Sequence, residues 1–222
     1  MYPAELANFL NDYYREKGVA LLPRSKVTGC EVRGGKSALK ILDSKTQRET
    51  EVIADGVIAG IGVQPNVELA QAAGLTVDNG IRVDSSLRTS RPDIYAAGDV
   101  ASFHNPALNQ WLRVEHEDNA NTMGKAAGNA IAGQSVSYDH LPFFYSDLFD
   151  MGYEAVGELD SRLETVADWK TPYKEGVVYY LRQGRVRGVL LWNIFGQVDS
   201  ARQLIASTGP FTAADLKGRL PA

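Results

Sequence analysis

Several features of common protein classes are missing from this 222-residue sequence. Cys30 is its one cysteine, so it can form neither an internal disulfide nor a Cys-x-x-Cys redox pair, and we interpret Cys30 as a structural thiol. There is no apolar run of about 18 residues, which predicts no membrane span. The net charge is -4 without a basic stripe, which predicts no nucleic-acid surface. The three histidines lack metal-ligand spacing, so no metal site is expected.

Targeting and phosphate-binding signals are missing as well. The first residues lack the charged and apolar regions of a signal peptide, so the expected location is the cytoplasm. No G-x-G-x-x-G loop stands between a strand and a helix, the arrangement by which dinucleotide-binding folds hold phosphates. What remains is ordinary for a soluble globular protein, with 44% apolar and 23% charged residues.

The apolar spacing predicts two kinds of architecture. Residues 1–134 alternate helices with short strands, as in an α/β fold, whereas the following residues predict consecutive antiparallel strands and a closing helix, as in an α+β fold. The predicted helices cover residues 3–17, 66–73, 115–132 and 196–207. The predicted strands cover residues 19–22, 26–32, 38–42, 49–53, 55–62, 80–84, 94–97, 155–159, 164–169, 176–183 and 185–192. Tight hairpin turns are expected at Gly34-Gly35 and Gln183-Gly184.

The most informative stretch is residues 89–100, where a polar turn and a short apolar strand lead into Gly98-Asp99. A glycine lets the backbone approach a ligand closely. A carboxylate at a strand end can accept hydrogen bonds from sugar hydroxyls, as it does for ribose in dinucleotide-binding folds. The plainer alternative is that Asp99 caps a helix.

Three further stretches are candidates for ligand contact. Residues 54–66 read as a buried strand that ends in a glycine turn at Gly62. Residues 113–120 open a helix with acidic side chains, and the helix dipole alone would explain Glu117 and Asp118. Residues 143–155 are rich in aromatics, including Tyr145, and such density is more often core than ligand contact.

Together these stretches resemble the FAD-dependent NAD(P)H pyridine-nucleotide oxidoreductases, and within them the group of apoptosis-inducing factor and the ferredoxin reductases. The resemblance implies FAD and NAD(P)H as cofactors and assigns Gly98 and Asp99 to the ribityl chain of FAD. The other implied cofactor-binding residues are Gly62 near both rings, Glu115, His116 and Glu117 beside the flavin, and Tyr145 and Glu154 towards the nicotinamide. Glu117 and Tyr145 stand where this group has a second His and a Trp. No separate catalytic residue is implied.

The resemblance also implies how the chain is divided. Since the family's phosphate loops precede the similar region, we expect the chain to begin inside the NAD(P)H domain. Residues 1–62 would be the carboxy-terminal half of that domain and residues 63–134 the carboxy-terminal part of the FAD domain. Residues 135–222 would form a complete domain, a mixed antiparallel sheet with a helix, used in an interface. Cut sheets expose edges, so we expect a homo-oligomer and weak binding of FAD by the chain alone.

Two classes of function remain open from the sequence. In the first, the whole protein passes electrons from NAD(P)H through flavin to a small iron-sulfur protein, a quinone or oxygen. In the second, the chain is a truncated, non-catalytic dimerisation or interaction module that binds no flavin. A disulfide reductase subunit is disfavoured because residues 201–222 carry no His-Pro acid–base motif.

Overall fold

The computed structural model describes residues 1–220, which form two compact units. The first, here called the meander unit, comprises Ala7–Gln64. The second, here called the main unit, comprises Met1–Leu6 and the described residues from Pro65 onward. None of the helices within these 220 residues is both long and apolar enough to cross a membrane.

The meander unit confirms three of the predicted strands. Helix α1 (Ala4–Glu16), which begins in the main unit, ends before Gly18. Strands β1 (Ser25–Arg33), β2 (Lys36–Asp43) and β3 (Glu49–Ala54) then follow and pair antiparallel in the order β1-β2-β3. Gly34 and Gly35 both have positive φ, 58° and 77°, which a two-residue type I′ turn between β1 and β2 requires.

Two segments of this unit are not the buried strands that the sequence predicts. Residues 19–22 and 55–62 have no strand partner, and Ile58 and Ile61 are 100% and 92% exposed. A strand persists only when a neighbour pairs with its backbone N–H and C=O groups, and no described residue does so here. The sequence correctly indicates that these segments are apolar, but the strands it predicts for them are wrong.

The first part of the main unit builds a small sheet covered by a helix. It contains α2 (Glu68–Ala72), β4 (Val77–Asp78), β5 (Gly80–Arg82), β6 (Ala101–Asn105), β7 (Gln110–Leu112) and α3 (Glu117–Ile131). The sheet order is β4-β5-β6-β7, with β5 and β6 parallel. Val67 stands at the start of helix α2, and its side chain makes no capping hydrogen bond. Met123 and Ala127 of α3 pack on Phe103 and Tyr138 in one buried core.

The rest of the main unit is a five-stranded antiparallel sheet with helices. Its strands are β8 (Phe143–Leu148), β9 (Met151–Gly157), β10 (Glu164–Thr171), β11 (Glu175–Arg182) and β12 (Arg185–Trp192), in the order β10-β11-β12-β9-β8. Helices α4 (Val198–Ala206) and α5 (Ala213–Leu216) follow. Gln183 and Gly184 both have positive φ, which confirms the predicted tight turn between β11 and β12. The main unit thus contains an α+β part after an α/β part in chain order; the predicted division into three domains stays a prediction.

The central strands β11 and β12 are buried on both faces. Tyr179 lies in the core that includes Ile205 of α4. The next residue, Tyr180, points to the opposite face, as side chains alternate along a strand, and its hydroxyl donates to the Met1 carbonyl at 2.9 Å. Residues 1–6 therefore cover the face of the sheet that α4 leaves open.

Candidate functional site

The turn that carries Gly98 is not the strand end predicted from the sequence. Residues 94–97 form no strand, and a single bridge joins Tyr95 to Arg88. Gly98–Val100 then forms one 3-10 turn, in which Gly98 has a φ of +76° that favours glycine. The Gly98 N–H donates to the Met123 sulfur at 3.2 Å. The turn therefore lies directly on helix α3.

Asp99 is an exposed carboxylate on a fixed backbone. Its side chain makes no hydrogen bond or ion pair with any residue between 1 and 220. Its backbone carbonyl, in contrast, accepts from Nη1 of Arg113 at 3.1 Å. The Arg113 side chain is mostly buried, donates through Nε to Asn79 and forms an ion pair with Glu115 at 2.6 Å. Arg113 thus holds the turn in place while the Asp99 carboxylate stays available to a ligand.

The start of helix α3 brings the predicted His116 to the same region of the main unit. His116 is the residue that caps the helix, and its Nδ1 accepts the Asp118 N–H at 3.3 Å. Glu115 and Glu117 on either side of it are exposed, and the Glu117 carboxylate accepts from Asn121 at 3.5 Å. Helix starts carry a partial positive charge, so this end can stabilise an electron-rich ligand group.

Aromatic side chains from strand β8 pack against His116. The Tyr145 ring meets the imidazole edge-on, with centroids 5.3 Å apart, and remains 53% exposed. Phe143, two residues earlier and on the same face of the strand, lies 5.9 Å from the imidazole and 6.1 Å from Tyr145. Tyr145 pairs in register with Glu154 of β9. The Glu154 carboxylate accepts the Gly196 N–H at 3.1 Å.

Gly62 is the predicted site residue that belongs to the meander unit. It has a φ of +90° in an extended, exposed segment. Its proximity to the other site residues stays a prediction.

Comparison with known proteins decides the family. Residues 1–124 match the family described as pyridine nucleotide-disulphide oxidoreductase. The chain belongs to this family. Residues 127–175 and 167–207 match the carboxy-terminal region of the mitochondrion-associated apoptosis-inducing factor. The resemblance inferred from the sequence is therefore confirmed.

Curated members of the pyridine nucleotide-disulphide oxidoreductase family give the same result. Putidaredoxin reductase of Pseudomonas putida is 32% identical over 91% of this chain and 47% of its own length. Monodehydroascorbate reductase 3 of Arabidopsis thaliana is 34% identical over 86% of this chain and 44% of its own. Apoptosis-inducing factor 1 of Dictyostelium discoideum is 37% identical over 68% of this chain and 31% of its own.

A solved structure of the family shows that the fold is shared. The covalent putidaredoxin reductase–putidaredoxin complex superposes with a TM-score of 0.79 at 32% identity, over 91% of this chain and 48% of the matched one. The α/β and α+β fold class predicted from the sequence is thus correct. The chain spans about half the length of the curated relatives it matches.

The described residues fit one end of FAD, a cofactor on which the family depends. Asp99 offers free acceptor oxygens for sugar-alcohol hydroxyls on a turn where glycine removes the side-chain bulk. His116 and the first turn of α3 offer an imidazole and helix N–H groups to a polar ring edge. Among the described residues, no G-x-G-x-x-G loop is present and the Gly60-Ile61-Gly62 segment opens no helix.

Sequence reasoning missed two residues that organise this region. Arg113 connects the Asp99 carbonyl to Glu115, and Asp118 does more than complement the helix dipole, since its carboxylate contacts residues 140, 143 and 202. Arg113 and Asp118 both lie in the stretch 113–120 that the sequence singled out. Their roles depend on partners up to 84 residues away, which residue spacing alone does not reveal.

Proposed function

We propose that this chain forms part of an FAD-dependent NAD(P)H oxidoreductase that passes electrons to an acceptor. Family membership supports the proposal, as do relatives whose names are those of reductases. When bound, FAD accepts a hydride from NAD(P)H and releases the electrons to the acceptor. The protein contributes binding, orientation and electrostatics around the cofactor.

The observation that carries the proposal is the unpartnered Asp99 carboxylate on the glycine turn against α3. In the proposed role it accepts hydrogen bonds from the ribityl hydroxyls, while Gly98 allows the backbone to approach. Arg113 keeps the carbonyl of Asp99 engaged at 3.1 Å, so the carboxylate and not the backbone faces the ligand.

The remaining residues are proposed to surround the reacting rings. His116 and the α3 start would meet the polar edge of the flavin, flanked by Glu115 and Glu117. Tyr145 and Glu154, paired across β8 and β9, would face the nicotinamide. Gly62 would line the approach between both rings. None of these residues needs to form a covalent bond with substrate.

The acceptor is proposed to be a small iron-sulfur protein. Two relatives favour this class: putidaredoxin reductase, solved in a covalent complex with putidaredoxin, and a ferredoxin–NAD⁺ reductase component of Burkholderia cepacia, 34% identical over 92% of this chain. The monodehydroascorbate reductases favour a small-molecule acceptor instead. Reduction of a ferredoxin and of a small quinone by the purified natural gene product, compared at equal NADH, would separate the two.

The proposal is tested by Asp99→Ala in the natural gene product. A hydrogen bond to a charged group contributes about 1.5–3 kcal/mol, so flavin affinity should fall by about tenfold or more. The measurement is flavin content per polypeptide after gel filtration, from absorbance. Asp93→Ala is the matched control, because Asp93 is also an exposed carboxylate in the stretch 89–100. Equal flavin content in Asp99→Ala and wild type would contradict the assigned role.

A second candidate, a non-catalytic interaction module, is favoured by one observation. Val57, Ile58, Ile61 and Val63 expose between 50% and 100% of their surface in one segment without strand partners. Such a segment can add itself to the sheet edge of another molecule. A gene product that associates but holds no flavin and oxidises no NAD(P)H would support this candidate over the enzyme.

A further inference from the structure

The Asp118 carboxylate joins three separate segments of the main unit. Its Oδ2 accepts from Nε2 of His140 at 2.7 Å, from Nη2 of Arg202 at 3.2 Å and from the backbone N–H of Phe143 at 3.3 Å. His140 and Phe143 flank the entry to β8, and Arg202 lies on α4. Hydrogen bonds to an ionised acceptor are the stronger kind, and the Asp118 side chain is only 17% exposed.

Other contacts reinforce this junction. Arg202 also donates through Nε to the Leu141 carbonyl at 2.8 Å, so it links helix α3 to the loop before β8. The adjacent Asn119 accepts from the Tyr138 hydroxyl at 3.1 Å. Burial and then the nearby Asp118 carboxylate raise the pKa of Tyr138, which keeps that hydroxyl a donor. Residues 138–143 are thus fixed to the first turn of α3.

The same residue orients His116 from the backbone. The Asp118 N–H donates to His116 Nδ1. A neutral imidazole that accepts at Nδ1 carries its proton on Nε2. Nε2 is therefore the donor that His116 offers to a ligand, while the ring face is set by the contacts to Phe143 and Tyr145.

We propose that Asp118 is a positioning residue: its carboxylate holds the β8 aromatic pair against His116, whose Nδ1 accepts the Asp118 backbone N–H. It acts through its neighbours and does not touch the reacting groups. For the reaction, this inference rests on the proposed function. Its geometric part concerns only contacts within the main unit and can be tested without flavin.

The geometric test is NMR of the 222-residue chain with labelled histidine and aromatic side chains. Asp118→Asn should lose the nuclear Overhauser contacts between His116 and the Tyr145 ring, because an amide at this position no longer offers a charged acceptor to His140, Arg202 and the Phe143 N–H. Asp199→Asn is the matched control, since Asp199 is an 88% exposed partner of the same Arg202. It should preserve the contacts. Unchanged contacts in folded Asp118→Asn would overturn the proposal.

A second variant covers the case in which Asp118→Asn does not fold. Arg202→Lys retains the positive charge. The single ammonium group of lysine, however, cannot donate to Asp118 and to the Leu141 carbonyl together, as the planar guanidinium does. The variant should weaken the His116–Tyr145 contacts, with circular dichroism reporting an unchanged fold. Contacts at wild-type intensity in this variant would also overturn the proposal.

The kinetic test uses the natural gene product. Small misplacements in an active site lower rates by about tenfold to a hundredfold, so Asp118→Asn should lower kcat for NADH oxidation to that extent with retained flavin. Asp199→Asn should stay within about twofold, as expected for an exposed ion pair. Wild-type kcat in Asp118→Asn would reject the positioning role. A gene product without flavin would reject the proposed function, while the NMR result would still decide the geometry.

Discussion

At the scale of single residues, Gly98 and Gly80 show two different reasons for a glycine. One is backbone conformation alone, and the other is conformation together with a lack of space. Gly98 has positive φ, but an added Cβ would meet Ala120 only at 3.8 Å, an ordinary contact. Gly80 also has positive φ, and there a Cβ would lie 2.6 Å from the Val100 carbonyl oxygen and 2.8 Å from the Arg113 side chain. The glycine at 98 is required by backbone conformation alone, whereas the glycine at 80 is required by space as well.

Alanine substitutions at these glycines should therefore differ in cost. Gly98→Ala should lower the free energy of unfolding by about 1–2 kcal/mol, the cost of a left-handed backbone for an L-residue. Gly80→Ala should lower it by about 2–4 kcal/mol, because overpacking adds to that cost. Urea unfolding followed by circular dichroism measures both. Equal losses would show that the contacts around Gly80 relax freely.

Burial of a tyrosine gives a prediction about pH. Tyr179 is fully buried, and burial raises its pKa to about 12. An unfolded tyrosine ionises near pH 10, so between pH 10 and 12 the unfolded state loses its proton first and stability falls, by about 2–3 kcal/mol for this group. Below pH 10 the group contributes no pH dependence.

Tyr179→Phe should make the fall in stability above pH 10 less steep without abolishing it, because burial also raises the pKa of Tyr138 and Tyr180, which remain. Urea unfolding at several alkaline pH values measures the slope, and Tyr145→Phe provides a control at an exposed tyrosine. Parallel profiles for wild type and Tyr179→Phe would show that other groups cause the alkaline loss.

At the scale of elements, the sequence correctly predicted the helices and hairpins whose hydrogen-bond partners lie nearby in the chain. The hairpins at Gly34-Gly35 and Gln183-Gly184 and the helix that became Glu117–Ile131 depend on local turns, caps and periodicity. The predicted strands 19–22, 55–62 and 94–97 failed, since a strand also needs a neighbour. Conversely, the sequence predicted no strand at β6, β7 or β8.

The segment 55–62 should consequently drive association of the purified chain. Ile58 and Ile61 are almost fully exposed and have no strand partner among residues 1–220. Replacing both by Lys should shift the chain towards the monomer, since charge on an open edge opposes pairing. Light scattering after gel filtration measures the mass. Leu69→Lys, at a 90% exposed leucine in α2, is the control for a charge placed elsewhere. An unchanged mass in the double variant would place the association surface outside this segment.

At the scale of the whole molecule, the sequence identified the protein family but not the contacts that organise the candidate site. Gly98, Asp99, Glu115, His116 and Glu117 lie around the start of α3. Tyr145 joins them through the His116 ring, and Glu154 through its register with Tyr145. Their cofactor roles stay predictions. The contacts of Asp118 form only when β8, α3 and α4 pack together, so local sequence patterns could not predict them.

The 222-residue chain has candidate residues for only part of the FAD molecule, and this leads to a prediction about its affinity for FAD. In the proposed function it contributes residues to the ribityl chain and the flavin ring, but its sequence has no G-x-G-x-x-G loop for the pyrophosphate, which a helix start normally holds. The chain should therefore bind FAD weakly and bind riboflavin equally weakly, because both ligands share the part that it can contact. Fluorescence titration measures both affinities, and Asp99→Ala should weaken both alike. A preference for FAD of about tenfold, equivalent to about 1.4 kcal/mol, would contradict this and reveal a phosphate site formed by residues other than a glycine-rich loop.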